Sequence, residues 1–375
     1  MYRKQPIKNV SVQKYKKALR SAYGKQQGNA LRRTNCLTWM ICGLIKSGKS
    51  HLNEIASGLP HSTDLESRVK KIKRWLLSDY NDWSVHFVPC LSFILQAFIS
   101  KDREMVFAID GSDLGNGCTA LMISLVWGKR AIPICWLVRQ GRKGHLPASM
   151  HLDLFKKLHT LLEGYSKVVV LGDGEFDNHQ VIAACEQWEW KFVFRTSKNT
   201  KIFDDQETYS INALAPPANE LYQFVSNVAY TNERHGPLNA LCWHDHKWDK
   251  QHYLLTNFEL AQEAACYYRK RWSIETLFGD IKSRGFYTHK LKLSDPQRIT
   301  KLLIVVCLAY ILLFQLGNEE KKSPYLPKVT RKDRCDLSIF TIGKKLVDYC
   351  LKQAIPIIFS FSKNSCIQYR LKSVR

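Results

Sequence analysis

The chain has 375 residues, enough for two or three structural units and a sizeable core. Hydrophobic residues make up 45% of it, which excludes a disordered chain, but 56 Lys and Arg against 33 Asp and Glu give a net charge of +23. Such a field favours a polyanion, most simply nucleic acid, with an anionic membrane surface or ribosomal association as alternatives. The twelve cysteines are scattered among apolar neighbours with no C-x-x-C pair, and read as reduced core thiols of a cytosolic protein. The N-terminus is basic with no apolar segment after it, so no signal peptide is expected. The longest apolar run, Leu302 to Leu316, is short for a membrane span and predicts a buried core helix.

Residues 1–50 carry twelve Lys or Arg and no acid; the first is Glu54. Arg3, Lys4, Lys8, Lys14, Lys16, Lys17 and Arg20 would suit an arm along phosphates, or a solubilising tail. From Leu37 the pattern turns helical. In Arg68 to Leu76, cations at 70, 71, 73 and 74 surround Val69, Ile72, Trp75 and Leu76, an amphipathic basic helix. Residues 1–100 are therefore expected to form a basic arm and a small helical DNA-binding unit.

Gly43-Leu44-Ile45-Lys46-Ser47-Gly48-Lys49-Ser50 fits the phosphate-loop pattern G-x-x-x-x-G-K-[ST]. A true phosphate loop needs a buried strand before it and a helix opening at the lysine. Thr38 to Cys42 could pass as a short strand, but no βαβ series follows residue 50. A nucleotide is therefore not expected, and an ATPase using Lys49 and Ser50, with Asp110 as its second acid, is the runner-up.

From Glu104 the texture changes. Met105 to Ile109 is a continuous apolar run ending at Asp110, and Thr119–Trp127 and Ala131–Val138 are two further strand-like runs joined by a short break. A helix is predicted over His151–Glu163. A strand over Lys167–Gly172 then runs into Asp173, followed by a helix near Asn178–Trp188 and a strand over Lys191–Arg195. A three-strand meander followed by α-β-α-β is the order of an RNase H-like (retroviral integrase-like) α/β core, in which one acid closes the first strand and another the fourth. Residues 101–199 would be its first part and 257–320 its second. Several short strands over 200–256 would form a β-rich insertion, and 321–375 a basic C-terminal segment, with Lys363, Arg370, Lys372 and Arg375 in its tail. Within the insertion, Trp243 and Trp248 read most simply as core tryptophans. Cys242, His244 and His246 lie at alternate positions but lack a fourth ligand for zinc.

Tyr268 to Lys282 carries the sharpest pattern. On a continuous helical wheel Tyr268, Arg271, Glu275 and Lys282 fall within an arc of about 60°, beside an apolar stripe of Ile274, Leu277, Phe278 and Ile281. One carboxylate is thus set among cations and a phenol. Acids of this kind suit a metal, and their cationic neighbours suit phosphates.

Tyr, two residues, Arg, three residues, Glu, six residues, Lys is the Y-R-E-K signature, and the chain resembles the DDE transposases of bacterial insertion sequences, the IS-four group. Ile109-Asp110-Gly111-Ser112, Arg130-Ala131-Ile132-Pro133, Gly172-Asp173-Gly174-Glu175-Phe176-Asp177, Phe194-Arg195 and Arg271 to Phe278 look like that family's blocks in order. The resemblance spans about residues 37–345. It implies a triad of Asp110, Asp173 and Glu275 holding two Mg²⁺ or Mn²⁺ ions. Tyr268, Arg271, Lys282 and Arg195 would lie on double-stranded DNA at the element's ends, and an aromatic of the insertion, Trp243 or Trp248, would stack on a flipped base. It further implies a homodimer in the DNA complex and a cytoplasmic, nucleoid-associated enzyme with no membrane partner. Many relatives carry Arg after the second Asp, where this chain has Gly174. A non-catalytic DNA-binding derivative of a transposase is a third reading.

Overall fold

The computed structural model describes residues 23–59, 63–99, 103–141, 143–144, 146–205, 207–217, 219–319, 325–331, 336–353 and 355. The basic arm over 3–20 and the tail from 363 lie outside the described residues, as do Cys335 and Cys366. The chain divides into two compact units. One is Asp102–Asp113 with Gly117–Phe278; the other is Met1–Lys101, Leu114–Asn116 and Gly279–Arg375. The boundary at 278/279 falls inside the stretch from Tyr268 to Lys282.

The first of these units is built on a ten-stranded sheet of order β3-β2-β1-β4-β5-β10-β9-β8-β6-β7. Its strands are β1 (Met105–Gly115), β2 (Cys118–Trp127), β3 (Arg130–Gln140), β4 (Val168–Gly172), β5 (Lys191–Arg195), β6 (Lys201–Phe203), β7 (Thr208–Ser210), β8 (Tyr222–Tyr230), β9 (His235–Asp245) and β10 (Lys250–Thr256). β1, β4 and β5 run parallel, while β2–β3 and β5–β10–β9–β8 are antiparallel. The first five strands have the arrangement expected of an RNase H-like core, and the mixed α/β fold is compatible with one. The edge strand β3 carries Pro133, which has no N–H to give. The β2–β3 register shifts there, between Ile123 and Ser124.

Strand alternation sorts the core into two faces. Val169, Leu171, Val193, Leu241, Trp243 and Leu254 point toward α8 (Ala261–Lys270), where they pack on Ala264, Ala265 and Tyr268. Phe192 and Phe194 point the other way, toward α6 (Ala148–Leu161) and α7 (His179–Gln187); Phe194 meets Phe155 of α6 edge-on. The strands of 222–256 are longer than the short ones expected, at 9, 11 and 7 residues, and β10 pairs with β5 to extend the same sheet.

Two expectations need correction. β1 does not end at Asp110 but continues to Gly115, so this acid lies within the strand; the parallel pairing to β4 covers Met105 to Ala108. The stretch Tyr268–Lys282 is not one helix. α8 stops at Lys270 and α9 starts at Ser273 and ends at Ile281. At the break the amides of Arg271 and Ile274 bond three residues back, to Tyr268 and Arg271, so the turn tightens and the continuous wheel no longer applies.

The phosphate-loop pattern, where no nucleotide is expected, lies on the end of a helix. In the helical unit, α1 (Gly28–Ser47) runs through its first half, so no strand precedes it. Gly43 is a packing residue, since a Cβ there would lie 2.2 Å from the carbonyl oxygen of Ile55 in α2 (Leu52–Ser57). Gly48, at φ 65°, is the left-handed cap of α1 and donates to Leu44 O. Lys49 Nζ sits 3.1 Å from Glu54 Oε1, and Ser50 is buried. The pattern spells a helix end, not a phosphate cradle.

The remaining helices of this unit are α3 (Leu65–Leu77), α4 (Trp83–His86), α5 (Val88–Ile99), α10 (Pro296–Glu319), α11 (Leu326–Val329) and α12 (Ile339–Lys352). Asp64 caps α3, which buries Val69, Ile72, Trp75 and Leu76. Pro296–Asn318 is long and apolar enough to cross a membrane, yet 83% of its apolar window is buried inside the protein. It is the unit's core helix.

Candidate active site

Register places the acids. Ala108 of β1 pairs with Leu171 of β4, and Leu171 with Val193 of β5, all three parallel. Two residues further along each strand come Asp110, Asp173 and Arg195, so the three follow one row at the carboxyl ends of the parallel pairing, on the α8 face. Tyr268, in the last turn of α8, is buried beneath this row.

Arg271 occupies the break between α8 and α9 and ties the acids together. Its Nη1 lies 3.4 Å from Asp110 Oδ2 and its Nη2 3.1 Å from Glu275 Oε1, and its side chain is only 11% exposed. Its guanidinium carbon also lies 5.7 Å from the ring centre of Tyr268. Arg271 keeps a helical backbone, and its contact with Glu275 is an i,i+4 pair. Burial works to lower the Arg271 pKa, but Tyr268, Asp110, Asp173 and Glu275 raise it on balance.

Asp110 is 1% exposed and has a second cation on it: Lys143 Nζ lies 2.7 Å from Oδ1. The same oxygen accepts the amide of Gly111 at 2.7 Å. Burial lifts the Asp110 carboxyl above its usual range and Asp173 adds to this, while Lys143 and Arg271 oppose it. Lys143 itself is pushed up, because the pull of Asp110, Asp173 and Glu275 outweighs its burial. The Tyr268 phenol is raised by burial, against Arg271 and Arg195.

Three groups around this site, Lys143, Glu175 and Asp177, were not singled out from the sequence. Lys143 lies on a connection that reads only as a basic loop. Glu175 Oε1 accepts the amide of Leu146 at 3.4 Å and lies 3.7 Å from His151 Nε2, so it pins the end of that connection to the β4–α7 turn. Burial would raise the Glu175 carboxyl, but His151, the Leu146 amide and Lys143 hold it below its usual range. Asp177 accepts from Thr196 Oγ1 at 2.5 Å and is raised by burial, with Asp173 adding to it. Only the Gly172–Asp177 block hinted at Glu175 and Asp177.

Lys282 lies beyond the boundary at 278/279. It follows α9 in the helical unit, where its carbonyl accepts the amide of Tyr287 at 2.8 Å. Trp243 is buried in the sheet core with the guanidinium carbon of Arg269 4.5 Å from its ring centre, whereas Trp248 is 70% exposed between β9 and β10. Cys242 is buried, and His244 instead stands 3.4 Å from Asp249 Oδ1. Among the described residues no group of three or more His, Cys, Asp or Glu is close enough to hold a metal ion.

Residues 151–312 match the transposase DDE domain family. The match supports a DDE transposase, an enzyme class that acts on DNA and generally uses divalent metal ions. The matched DDE segment contains Asp173, Arg195, Tyr268, Arg271, Glu275 and Lys282, while Asp110 and Lys143 precede it. No curated protein sequence matches the chain. Among solved structures it is similar to a piggyBac transposase synaptic complex with hairpin DNA. The identity is 13% and the TM-score 0.42, over 94% of this chain and 82% of that one.

Asp110, Asp173 and Glu275 fit a Mg²⁺ or Mn²⁺ site in donor chemistry, being hard oxygen ligands. Arg271 and Lys143 lie on two of these acids, so any such ion must share or displace their contacts.

Proposed function

We propose that the chain is an insertion-sequence DDE transposase of the IS-four group, acting on the terminal inverted repeats of its element. Asp110, Asp173 and Glu275 would hold the metal ions, and Tyr268, Arg271, Arg195 and Lys282 would contact phosphates. The observation that carries this reading is the contact of one guanidinium, Arg271, with both Asp110 and Glu275, beside the register row of Asp110, Asp173 and Arg195.

In the first step water adds to the scissile phosphorus and the P–O3′ bond breaks, leaving a 5′-phosphate and a free 3′-hydroxyl. In strand transfer that hydroxyl gives up its proton and its oxygen bonds to a target phosphorus. The target P–O3′ bond breaks, so the number of phosphodiester bonds is conserved. Divalent ions would supply a more basic nucleophile and a stabilised leaving oxygen. The chain's own cations hold the phosphates in line, since a nucleophile must be close and aligned before it reacts. The enzyme would act in the bacterial cytoplasm at the nucleoid, as a homodimer on paired DNA ends.

The test is nicking of a duplex carrying the element's terminus, with and without Mg²⁺. Asp110→Asn, Asp173→Asn and Glu275→Gln should each abolish nicking and leave end binding largely intact. Wild-type nicking in chelator, or nicking by any of the three variants at the wild-type rate, would defeat the assignment of that acid. DNA binding by the wild type with no nicking under any metal would favour the non-catalytic derivative.

A further inference from the structure

Lys143 calls for its own account, because it lies on the most buried acid of the site. Both oxygens of Asp110 are engaged: Oδ1 by Lys143 Nζ and the Gly111 amide, each at 2.7 Å, and Oδ2 by Arg271 at 3.4 Å. A carboxylate that is 1% exposed cannot turn to water for another partner, so an incoming cation must take the place of one of these contacts.

The two cations differ in how firmly they are held. Arg271 is forked between two acids and 11% exposed. Lys143 has one close acid and is 39% exposed. It stands on the short span between two anchors. On one side the Gly141 amide donates to Gly117 O at 2.8 Å and Gly141 O accepts from Thr119 Oγ1 at 2.7 Å. On the other, Leu146 N donates to Glu175. The lysine stem lies on β1 where that strand has no side chain: a Cβ at Gly111 would be 3.3 Å from Lys143 Cγ. The lack of a side chain at Gly111 leaves room for the stem beside the strand.

We propose that Lys143 is a built-in countercation of the metal site. Its ammonium occupies the position on Asp110 that a divalent ion takes, and metal loading drives it off toward solvent, where it is available to a DNA phosphate. This rests on the metal-site reading of Asp110. The device keeps a buried acid neutralised before loading, and makes metal affinity depend on a surface loop.

Two measurements test it, both without DNA. Mn²⁺ binding is followed by the paramagnetic resonance signal of the free ion for wild type, Lys143→Met, Lys143→Arg and Asp110→Asn. Lys143→Met keeps the stem and removes the charge. It should bind Mn²⁺ at least tenfold tighter than wild type; Lys143→Arg should stay within about threefold, and Asp110→Asn should lose the site. Equal affinities for wild type and Lys143→Met, with Asp110→Asn defective, would overturn the countercation and leave the metal site standing. Wild-type affinity in Asp110→Asn would overturn the metal site itself. The second measurement needs no variant: amine acylation of the wild-type protein, read by peptide mass spectrometry. Labelling of Lys143 should rise severalfold when Mn²⁺ is added, while exposed Lys129 stays constant. A Lys143 signal that does not change on saturation with Mn²⁺ would also overturn the proposal.

Discussion

Arg271 reaches Asp110 across 161 residues of sequence, with its Nη1 3.4 Å from Oδ2. The other arm of the same fork holds Glu275 four residues on. One planar side chain therefore sets the spacing between a strand acid and a helix acid. A lysine there could touch either one but not both.

Arg271→Ala should weaken binding to element-end DNA and lower the salt slope by about one counterion. Arg271→Lys should keep the slope yet still lose nicking, because the fork that spaces the two acids is gone. Metal affinity should not fall in Arg271→Ala, since removing a nearby positive charge favours a cation. Salt-dependent titrations with and without Mg²⁺ check all three statements. A Lys variant with full nicking would show that charge alone suffices.

Lys49→Ala should leave nicking unchanged, and the protein should bind no ATP. The lysine is spent on Glu54 at the surface, a pair worth about 1 kcal/mol or less, so melting should barely move. Isothermal titration with Mg-ATP checks this. A nucleotide footprint on the amides of 46–50 would refute the reading of α1 as an ordinary helix end.

Much of the core was legible because its signals are local. The run Val168–Gly172 leads into Asp173 and Lys191–Arg195 holds an apolar run between two cations, and each strand falls within a residue of its expected bounds. What escaped is what depends on partners distant in sequence. The wheel over Tyr268–Lys282 has no breaker such as Gly or Pro at Arg271-Trp272, so nothing local marks the tightened turn there. Lys143 lies in Gly141-Arg142-Lys143-Gly144, which composition assigns to solvent; only the fold brings it to Asp110. The role of Gly43 in the phosphate-loop pattern was hidden for the same reason, because it answers to the backbone of Ile55.

The two insertion tryptophans should separate cleanly. Trp243→Ala removes a ring that is 1% exposed and should destabilise the sheet unit by about 3–5 kcal/mol, damaging every activity together. Trp248→Ala, at a position 70% exposed, should leave the melting temperature within about a degree. If Trp248 stacks on an unpaired base, the variant should lose about 1–3 kcal/mol of affinity for a DNA end with a mismatched or flipped base, and much less for a fully paired end. Equal losses on both DNAs would mean that Trp248 contacts only the backbone.

His86 supplies a pH dependence whose sign can be worked out. Its ring is 1% exposed at the end of α4, with Nε2 2.8 Å from Asn81 Oδ1 and the Trp75 ring 5.3 Å away. Burial, with Arg33 adding to it and Asp82 opposing, pushes its pKa down from 6.5 to about 4. The folded value lies below the unfolded one, so the neutral ring favours the fold. Above pH 6.5 both states are neutral and this contribution is fully present. Between 6.5 and about 4 the unfolded chain binds a proton that the fold refuses, so stability falls as pH falls. The loss through this window is about 3 kcal/mol, at up to about 1.4 kcal/mol per pH unit. His86→Gln retains an amide that can donate to Asn81 but cannot titrate. Urea unfolding of wild type and variant at pH 7, 5.5 and 4.5 isolates the term, because every other titrating group cancels in the difference. The wild type should lose stability faster on acidification by roughly one proton's slope. Parallel curves for the two proteins would show that His86 takes up its proton as readily in the fold as in the unfolded chain, and that its buried ring carries no such penalty.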